Sequence, residues 1–280
     1  MAPQQVASYE QVVVTSHGPV RVIAMDRTRY RNAQSRQLLR ELDDAFTRGH
    51  TDPEVSVMIL TSTGADFSSG HDLGTPEERA DEVGQRMPVE LGDREDWSWR
   101  HWTEPLQRWR RMGTPTIAAM SGYCLWGGWS LASAMDLRIA APNVVILPHL
   151  SEFFTLPWHV SVAKAKELLF ANRVIEAPEA LALGMLNRVV DGDVRQASLE
   201  LAEEIAQMPS DFLHAIKWSL NHVEDLRGFD ASIAYANSQH LMSEWGRCEP
   251  TVPATVEGSK QPMNLLAVAM AKYKAQREAE

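Results

Sequence analysis

Residues 125–137 read LWGGWSLASAMDL, and this stretch sets the first expectation for both fold and function. It follows PTIAAM (115–120), a short apolar run typical of a buried strand. The adjacent glycines Gly127 and Gly128 precede small and apolar residues that favour a helix. The first N–H groups of a helix have no partner within it. We therefore expect a strand, a tight turn and a helix whose first N–H groups can approach an oxygen atom.

A second glycine loop has the same position relative to a strand. The sequence GADFSSGHDL (64–73) follows the apolar run VSVMILT (55–61). Two such loops side by side can aim two N–H donors at one oxygen, which is an oxyanion hole suited to a thioester carbonyl that becomes enolate-like. A glycine pair before a helix is also common in ordinary turns and in tight helix–strand contacts. The loops alone leave both interpretations open.

The rest of the chain predicts an α/β fold with a mainly parallel sheet. Residues 10–25 read as two strands around the turn Ser16–Pro19, and residues 34–48 read as an amphipathic helix ended by Gly49. Apolar strands separated by helices are typical of parallel sheets. After about residue 160 the pattern is helical, with a linker at 248–262 and helices expected at 161–172, 177–185, 195–208, 210–227, 230–248 and 263–280.

The composition limits the classes of function. The chain has 280 residues and a net charge of -10, and nucleic-acid-binding proteins usually have a basic surface, so we expect no nucleic-acid partner. No run of about 18 apolar residues predicts a membrane span, and the N-terminus lacks the pattern of a signal peptide. The two cysteines, Cys124 and Cys248, form neither a zinc motif nor a disulfide framework. We expect a cytoplasmic protein without a metal.

Residues 74–112 are rich in charge and tryptophan. They carry Trp97, Trp99, Trp102 and Trp109. One interpretation is a helical insertion whose tryptophans pack on the core. The other is an aromatic wall of a ligand pocket. The two are compatible, because a lid packs on whatever it covers.

Four segments together resemble the crotonase superfamily, the enoyl-CoA hydratase/isomerase family. They are DRTRYRNAQSRQLLREL (26–42), GADFSSGHDL (64–73), PTIAAMSGYCLWGGWSLASAMDLRIAA (115–141) and AKAKELLFANRVIEAPEALALGMLNRVV (163–190), in the family's order. The resemblance implies a crotonase-like ββα spiral core at 1–195, with the insertion at about 74–112, and a C-terminal helical trimerisation region at 196–280. It implies an acyl-CoA thioester as ligand and a homotrimer or a dimer of trimers. No cofactor is implied besides the coenzyme A of the substrate.

The resemblance also assigns site residues. It places the oxyanion N–H groups on His71 and Gly127, and some of Arg27, Arg29 and Arg31 near the phosphates of coenzyme A. Asp72 follows the first loop, and the alternative to a binding role is a structural one, as a cap or turn carboxylate that holds the loop. The substrate-binding residues implied are Arg31, Ala33, Ser69, His71, Asp72, Leu73, Trp126 and Gly127.

The chain departs from the family at two positions that matter for the reaction. Hydratases of the family use two glutamates, and here Ser130 stands at the first position and His149 or Leu150 at the second. Histidine titrates near neutral pH, so His149 is the leading candidate for the acid or base, with Ser130 as a polar contact. Glu152 and His159 are lesser candidates. Enoyl-CoA hydratase is the nearest name, and isomerase, acyl-CoA or C–C hydrolase, and a non-catalytic acyl-CoA-binding protein are the alternatives.

Overall fold

A computed structural model describes residues 4–81, 88, 90–245 and 265–279 of the chain. The strands are β1 (Gln4–Ser8), β2 (Val12–His17), β3 (Val20–Met25), β4 (Val57–Ser62), β5 (Thr116–Met120), β6 (Tyr123–Leu125), β7 (Leu137–Ala140), β8 (Val145–Leu147), β9 (Ile175–Glu176) and β10 (Arg188–Val189). The helices are α1 (Arg36–Thr51), α2 (Pro76–Ala80), α3 (Leu91–Ser98), α4 (Glu104–Arg111), α5 (Gly127–Ser133), α6 (Leu156–His159), α7 (Val162–Phe170), α8 (Ala177–Ala182), α9 (Val194–Ile205), α10 (Ser210–Leu226), α11 (Phe229–Trp245) and α12 (Leu265–Ala279).

The main sheet has seven strands in the order β1-β2-β3-β4-β5-β7-β10. The first three strands pair antiparallel, and every later pair is parallel. The predicted α/β fold with a mainly parallel sheet is therefore confirmed. Because β4 and β5 are parallel neighbours, the two glycine loops that follow them emerge at the same edge of the sheet.

Helix α1 covers one face of this sheet with the apolar stripe that the sequence predicts. Ser35 caps its first turn by accepting a hydrogen bond from the Leu38 N–H, and Leu38, Leu42 and Phe46 are completely buried. The expectation that Gly49 ends the helix is wrong, because α1 continues to Thr51. Gly49 instead permits close packing, since a Cβ there would lie 2.7 Å from the sulfur of a buried methionine on β4.

A second, smaller sheet of β6, β8 and β9 lies beside the main one, and the sequence did not predict it. These strands have only two or three residues each, which is too short for a periodic pattern to show. Helix α12 packs on this sheet within the same chain, with Ala269 buried among Leu125, Val145 and Leu147. The predicted last helix is thus confirmed, and its apolar face is covered by its own chain.

The helices after residue 160 occur where the sequence predicts them, to within a few residues at their ends. Helix α9 packs its buried residues Val194 and Leu201 on the main sheet, against Val57 and Ile117. The predicted linker at 248–262 lies outside the described residues, and the division near residue 195 stays a prediction. In the part of the chain that the structure describes, no helix is both long and apolar enough to cross a membrane.

Asp136, near the end of the stretch 125–137, has a structural role. Asp136 accepts hydrogen bonds from the backbone N–H and hydroxyl of Thr116, at the start of β5. It also forms an ion pair of 2.8 Å with the buried ammonium of Lys217 on α10. This pairing ties α10 to the first residue of β5, the strand that leads to the second glycine loop.

Candidate active site

The two glycine loops are joined to each other by backbone hydrogen bonds. The Ser68 N–H donates to the Tyr123 carbonyl at 2.8 Å, and the Leu125 N–H donates to the Ser68 carbonyl at 3.0 Å. On the other side of the first loop, the Gln34 N–H donates to the Gly70 carbonyl at 2.8 Å. The loops therefore form one continuous backbone surface, which brings His71 next to Gly127.

Glycines are needed where the loops meet. Gly70 has a φ of +93°, and a Cβ on it would lie 2.9 Å from the Leu125 carbonyl oxygen. A Cβ on Gly128 would lie 2.7 Å from the Ser68 carbonyl oxygen. Both contacts are to backbone, which cannot move aside as a flexible side chain can. The close approach anticipated from the glycines is thus observed.

The backbone N–H groups of His71 and Gly127 are the predicted oxyanion donors. Among the described residues, no group accepts a hydrogen bond from either N–H. Trp126 lies between the end of strand β6 and Gly127. Its φ of 50° and ψ of -110° are unusual for a residue with a side chain. Gly127 follows this turn directly, and we use the word cleft for the space around the His71 ring that Gly127, Trp102 and Glu152 border.

The imidazole of His71 lies in this cleft. Its ring stacks on Trp102, with ring centroids 4.1 Å apart and planes at 30°. Its Nε2 and Cδ2 lie 2.8 and 2.7 Å from the point that a Cβ on Gly127 would occupy. Its Nδ1 lies 3.9 Å from Oε1 of Glu152. His71 therefore contributes both a backbone donor and a titratable side chain to the same place.

Glu152 lies beneath His71 and is buried, with 9% of its side chain exposed. The same oxygen, Oε1, lies 3.2 Å from Nε2 of His240 on α11. Burial alone would raise the pKa of Glu152, but the charges of His71 and His240 and the hydrogen bond from His240 lower it to about 2. Glu152 is thus a carboxylate held ionised between two imidazoles.

The tryptophan-rich insertion forms one side of the cleft. Residues Trp99–Thr103 form a π-helical turn between α3 and α4, and this turn directs Trp102 onto His71. The Thr103 hydroxyl donates to the Glu152 carbonyl at 3.2 Å. Trp109, in contrast, is completely buried and stacks on Phe46 in the core. Trp109 therefore packs on the core as the first interpretation predicts, and Trp102 lines the small cavity beside His71, so that an aromatic wall of a ligand pocket stays a prediction.

A small cavity of about 10 Å³ adjoins these groups, with room for the centre of about one water molecule. Ser130 reaches it, and its hydroxyl lies 3.1 Å from that of Ser151. The lining residues are Gln34, Leu39, His71, Trp102, Leu106, Ser130, Leu131, Glu152 and Phe153.

The other two histidine candidates do not line this cavity. His149 is half-buried, with its ring edge-on to Trp126 at 4.9 Å and to His240 at 6.4 Å. His159 is half-buried against Trp129 and lines a second cavity that shares no lining residue with the first. Burial and the nearby charge of Arg138 lower the pKa of His159 well below its usual value. The structure thus brings His71 and Ser130 together and leaves His149 at the margin.

Asp72 stabilises the first loop. Its side chain is fully buried, accepts hydrogen bonds from the N–H groups of Gly74 and Thr75, and pairs with Arg27 at 2.7 Å. Burial opposes the ionisation of Asp72, but these hydrogen bonds and the Arg27 charge lower its pKa. Of the two interpretations of Asp72, binding the substrate or holding the loop, the geometry favours holding the loop. The buried Arg27 pairs with Asp72 and stabilises the same loop.

The remaining predicted binding residues surround the first loop. Arg31 is 59% exposed and lies over the ring of Tyr123 at 5.0 Å. The Ser69 hydroxyl donates to the Tyr30 carbonyl, Ala33 is buried, and Leu73 is exposed. Of these residues, Arg31 and Leu73 are the exposed ones, and we call this exposed edge of the first loop the entrance.

The sequence indicated Trp102 only as one of four tryptophans that could wall a pocket, gave Glu152 a minor place and did not indicate His240. The tryptophan-rich composition was a signal for Trp102. His240 gave no signal, because it comes from α11 and reaches the site only through tertiary packing. Among the described residues, no cluster of three or more histidine, cysteine or carboxylate side chains could hold a metal ion.

Comparisons with known proteins identify the family of the chain. Residues 15–243 match the family described as Enoyl-CoA hydratase/isomerase. A Mycobacterium tuberculosis protein, EchA13, named as an unproven enoyl-CoA hydratase, is 34% identical over 257 residues, which cover 82% of this chain and 79% of that protein. The carnitinyl-CoA dehydratase of Citrobacter koseri is 32% identical over 208 residues, or 71% of this chain and 74% of its own.

Solved structures show the same fold. The crystal structure of a probable enoyl-CoA hydratase from Mycobacterium smegmatis has a TM-score of 0.76 and 33% identity, covering 84% of this chain and 94% of its own. An enoyl-CoA hydratase/isomerase from Xanthobacter autotrophicus has a TM-score of 0.77 and 25% identity, covering 97% and 94% of the two chains. The protein therefore belongs to the enoyl-CoA hydratase/isomerase family and has the crotonase-like fold that its sequence predicts.

Proposed function

We propose that this protein is an acyl-CoA-processing enzyme that holds the carbonyl oxygen of a thioester between the N–H groups of His71 and Gly127. The observation that carries the proposal is that two hydrogen-bonded loops each contain an N–H group, on His71 and on Gly127, for which no described residue is an acceptor. One such donor typically contributes ~2.7–4 kcal/mol of transition-state stabilisation. The enolate that these donors stabilise is common to hydration, isomerisation and C–C cleavage.

Enoyl-CoA hydratase is the nearest name for the reaction, and isomerase is the second candidate. We assign the chain to a branch of the family without the usual pair of glutamates, with Ser130 at the first position and His149 or Leu150 at the second. Ser130 has a hydroxyl partner in Ser151 and lines the small cavity, which supports a role in holding water or substrate. His149 stays a predicted base. Among the residues that line this cavity, Glu152 supplies the carboxylate.

The coenzyme A part of the substrate needs cationic partners for its phosphates. Of the three arginines near the first loop, Arg27 is buried in ion pairs with Asp72 and Glu77, and Arg29 lies 3.8 Å from the same Glu77. Arg31 is exposed at the entrance and has a loose contact of 3.7 Å with Asp66. We therefore assign the phosphate contact to Arg31.

Association into a homotrimer, or a dimer of trimers, is part of the same proposal. Helix α10 exposes a set of large apolar side chains that a lone chain would leave in water, namely Phe212, Ile216, Trp218, Leu220, Val223 and Leu226. Such a patch marks an interface in soluble proteins. Light scattering on the purified protein gives the mass directly, and a monomer would contradict this part of the proposal.

Two measurements on the same protein test the acyl-CoA assignment. The first compares the binding of butyryl-CoA with that of S-butyl-CoA, the thioether that lacks the carbonyl oxygen. Two donors to that oxygen should make the thioester bind roughly tenfold more tightly. Equal affinities would contradict the oxyanion hole. A ligand comparison is preferable to a Gly127 variant, because any side chain at Gly127 would collide with His71 and Gln34.

The second measurement distinguishes an enzyme from a binding protein. Loss of the conjugated absorbance of crotonyl-CoA reports hydration, and conversion of a 3-enoyl-CoA to the conjugated isomer produces the opposite change. Either change, at a rate proportional to the enzyme concentration, supports an enzyme. Tight binding of these thioesters without any turnover would favour the non-catalytic acyl-CoA-binding protein.

A further inference from the structure

We propose that the imidazole of His71 is the group that moves the substrate proton, and that Glu152, fixed by His240, is its positioning residue. This inference rests on the proposed function, because the proton in question is one made acidic by the thioester carbonyl. It gives His71 two separate tasks, since its backbone N–H binds the oxygen and its side chain acts on the neighbouring carbon.

The position of the His71 ring supports this role. The ring edge with Nε2 and Cδ2 lies against Gly127, whose own N–H is the second proposed oxyanion donor. No described residue forms a hydrogen bond with Nε2, and 26% of the side chain is exposed. A carbonyl oxygen at the two N–H donors would therefore bring its α-carbon within reach of an imidazole nitrogen that is free to act.

The contacts of the ring fix its orientation. Trp102 covers one face at a centroid distance of 4.1 Å, and Glu152 faces Nδ1 at 3.9 Å. A carboxylate at Nδ1 favours the neutral tautomer that carries its proton there, which leaves the lone pair on Nε2. The distance of 3.9 Å is an ion-pair distance, and such contacts often shorten when substrate binds.

Glu152 is better suited to support His71 than to act as the base itself. Its carboxylate is buried, and one oxygen faces imidazole nitrogens of both His71 and His240. These contacts lower the pKa of Glu152 to about 2, against the effect of burial, so it accepts a proton poorly near neutral pH. Its charge instead compensates an imidazolium on His71, as the carboxylate of a catalytic triad does.

The step is a proton transfer that needs no other reactant. The Nε2 lone pair takes an α-proton, the electron pair of the C–H bond becomes the C=C bond of the enolate, and the carbonyl π pair moves to oxygen. The oxygen then accepts hydrogen bonds from the N–H groups of His71 and Gly127. The proton returns from Nε2 to the α-carbon, to the γ-carbon of an enoyl chain, or to solvent.

The experiment measures exchange of the α-protons of butyryl-CoA and phenylacetyl-CoA in D₂O by NMR. This signal reports the proton transfer whichever overall reaction the enzyme completes. We expect exchange by the unaltered protein and a loss of roughly 100-fold or more in His71→Ala. The Ala variant keeps the backbone N–H, so its preference for butyryl-CoA over the S-butyl thioether should persist. His71→Gln, which keeps the bulk, replaces it if the Ala variant does not fold.

Two further measurements separate a chemical role from a structural one. Added imidazole should partly restore exchange to His71→Ala, which a merely structural histidine would not allow. Glu152→Gln should lower the maximal exchange rate at least roughly tenfold with little change in KM. His222→Ala, at an exposed histidine on α10, is the matched control and should exchange normally.

The outcomes distinguish this inference from the proposed function. Full exchange by His71→Ala, or loss of exchange in His149→Ala instead, would overturn the role of the His71 side chain. A protein that prefers the thioester but exchanges no α-protons would overturn it as well. A protein without the thioester preference would overturn the proposed function.

Discussion

His71 and Trp102 stack with their ring centroids 4.1 Å apart, although they belong to different segments of the chain. One residue comes from the first glycine loop and the other from a π-helical turn in the tryptophan-rich insertion. The contact joins the insertion to the oxyanion loops. It therefore connects an unusual feature of the sequence to the chemistry of the site.

Replacing Trp102 by leucine should lower the rate more than the stability. Without the indole, the imidazole of His71 can rotate away from the cleft, and small misplacements of a catalytic group are costly. We expect kcat to fall about tenfold and the free energy of unfolding to fall by about 1 kcal/mol. Steady-state kinetics and denaturant unfolding measure the two effects.

Trp99→Leu is the matched control. Trp99 belongs to the same π turn but lines a different cleft, beside Ala234 and Asn237. Its replacement should leave kcat within about twofold of the original. An equal loss of kcat in both variants would mean that the insertion acts through its general packing rather than through Trp102.

Replacing Gly128 by alanine should separate the two loops. The new Cβ would meet the Ser68 carbonyl oxygen at 2.7 Å, and neither backbone can yield without moving its loop. We expect a loss of about 1–3 kcal/mol in the free energy of unfolding and a loss of the preference for thioester over thioether. Gly92→Ala in α3, where a Cβ meets no atom within 4 Å, should leave both unchanged. Equal stability of the two variants would contradict the close contact of the loops.

The pKa of Glu152 predicts how stability depends on pH. Because the folded protein lowers this pKa from 4.5 to about 2, ionised Glu152 stabilises the folded state above about pH 4.5, and this stabilisation disappears as the pH falls toward 2. Its size is on the order of 3 kcal/mol. Denaturant unfolding at pH 5, 4 and 3 should show a shallower pH dependence for Glu152→Gln. Parallel curves for the two proteins would show that the carboxylate is not held in this way.

Arg31→Ala should weaken binding only of ligands that carry the coenzyme A phosphates. The guanidinium is exposed at the entrance, and a charged hydrogen bond to phosphate supports about a tenfold change in KM. A thioester of pantetheine, which lacks the phosphates, should show the same KM with both proteins. Arg100→Ala, at an exposed arginine of the insertion, is the control. A similar rise in KM for both thioesters would place the phosphates elsewhere.

Much of the fold follows from local patterns in the sequence. The main sheet was predicted from the apolar runs that form β4 and β5, and its covering helix from the apolar stripe on α1. The two glycine loops predicted that their backbones lie close to each other. The end of α1 was predicted wrongly at Gly49, because the sequence alone does not distinguish a glycine that allows close packing from one that ends a helix.

The composition of the site was less accessible from the sequence. The family pattern directed attention to Ser130 and His149, the residues that the resemblance places at the positions of the usual glutamates. The carboxylate that lines the cavity is Glu152, and its partner His240 comes from a distant helix. A histidine brought in by tertiary packing leaves no local pattern, so only the folded structure identifies the pair.

The central claim is that two N–H donors hold the oxygen of a thioester, and the carbonyl stretch of bound butyryl-CoA labelled with ¹³C at the carbonyl tests it most directly. Infrared difference spectra would be recorded for the label free in water and bound to the protein. Fixed donors on His71 and Gly127 predict a stretch at lower wavenumber in the complex than in water, and the same shift in His71→Ala, which keeps the N–H. An unshifted or higher stretch in the complex would contradict the account.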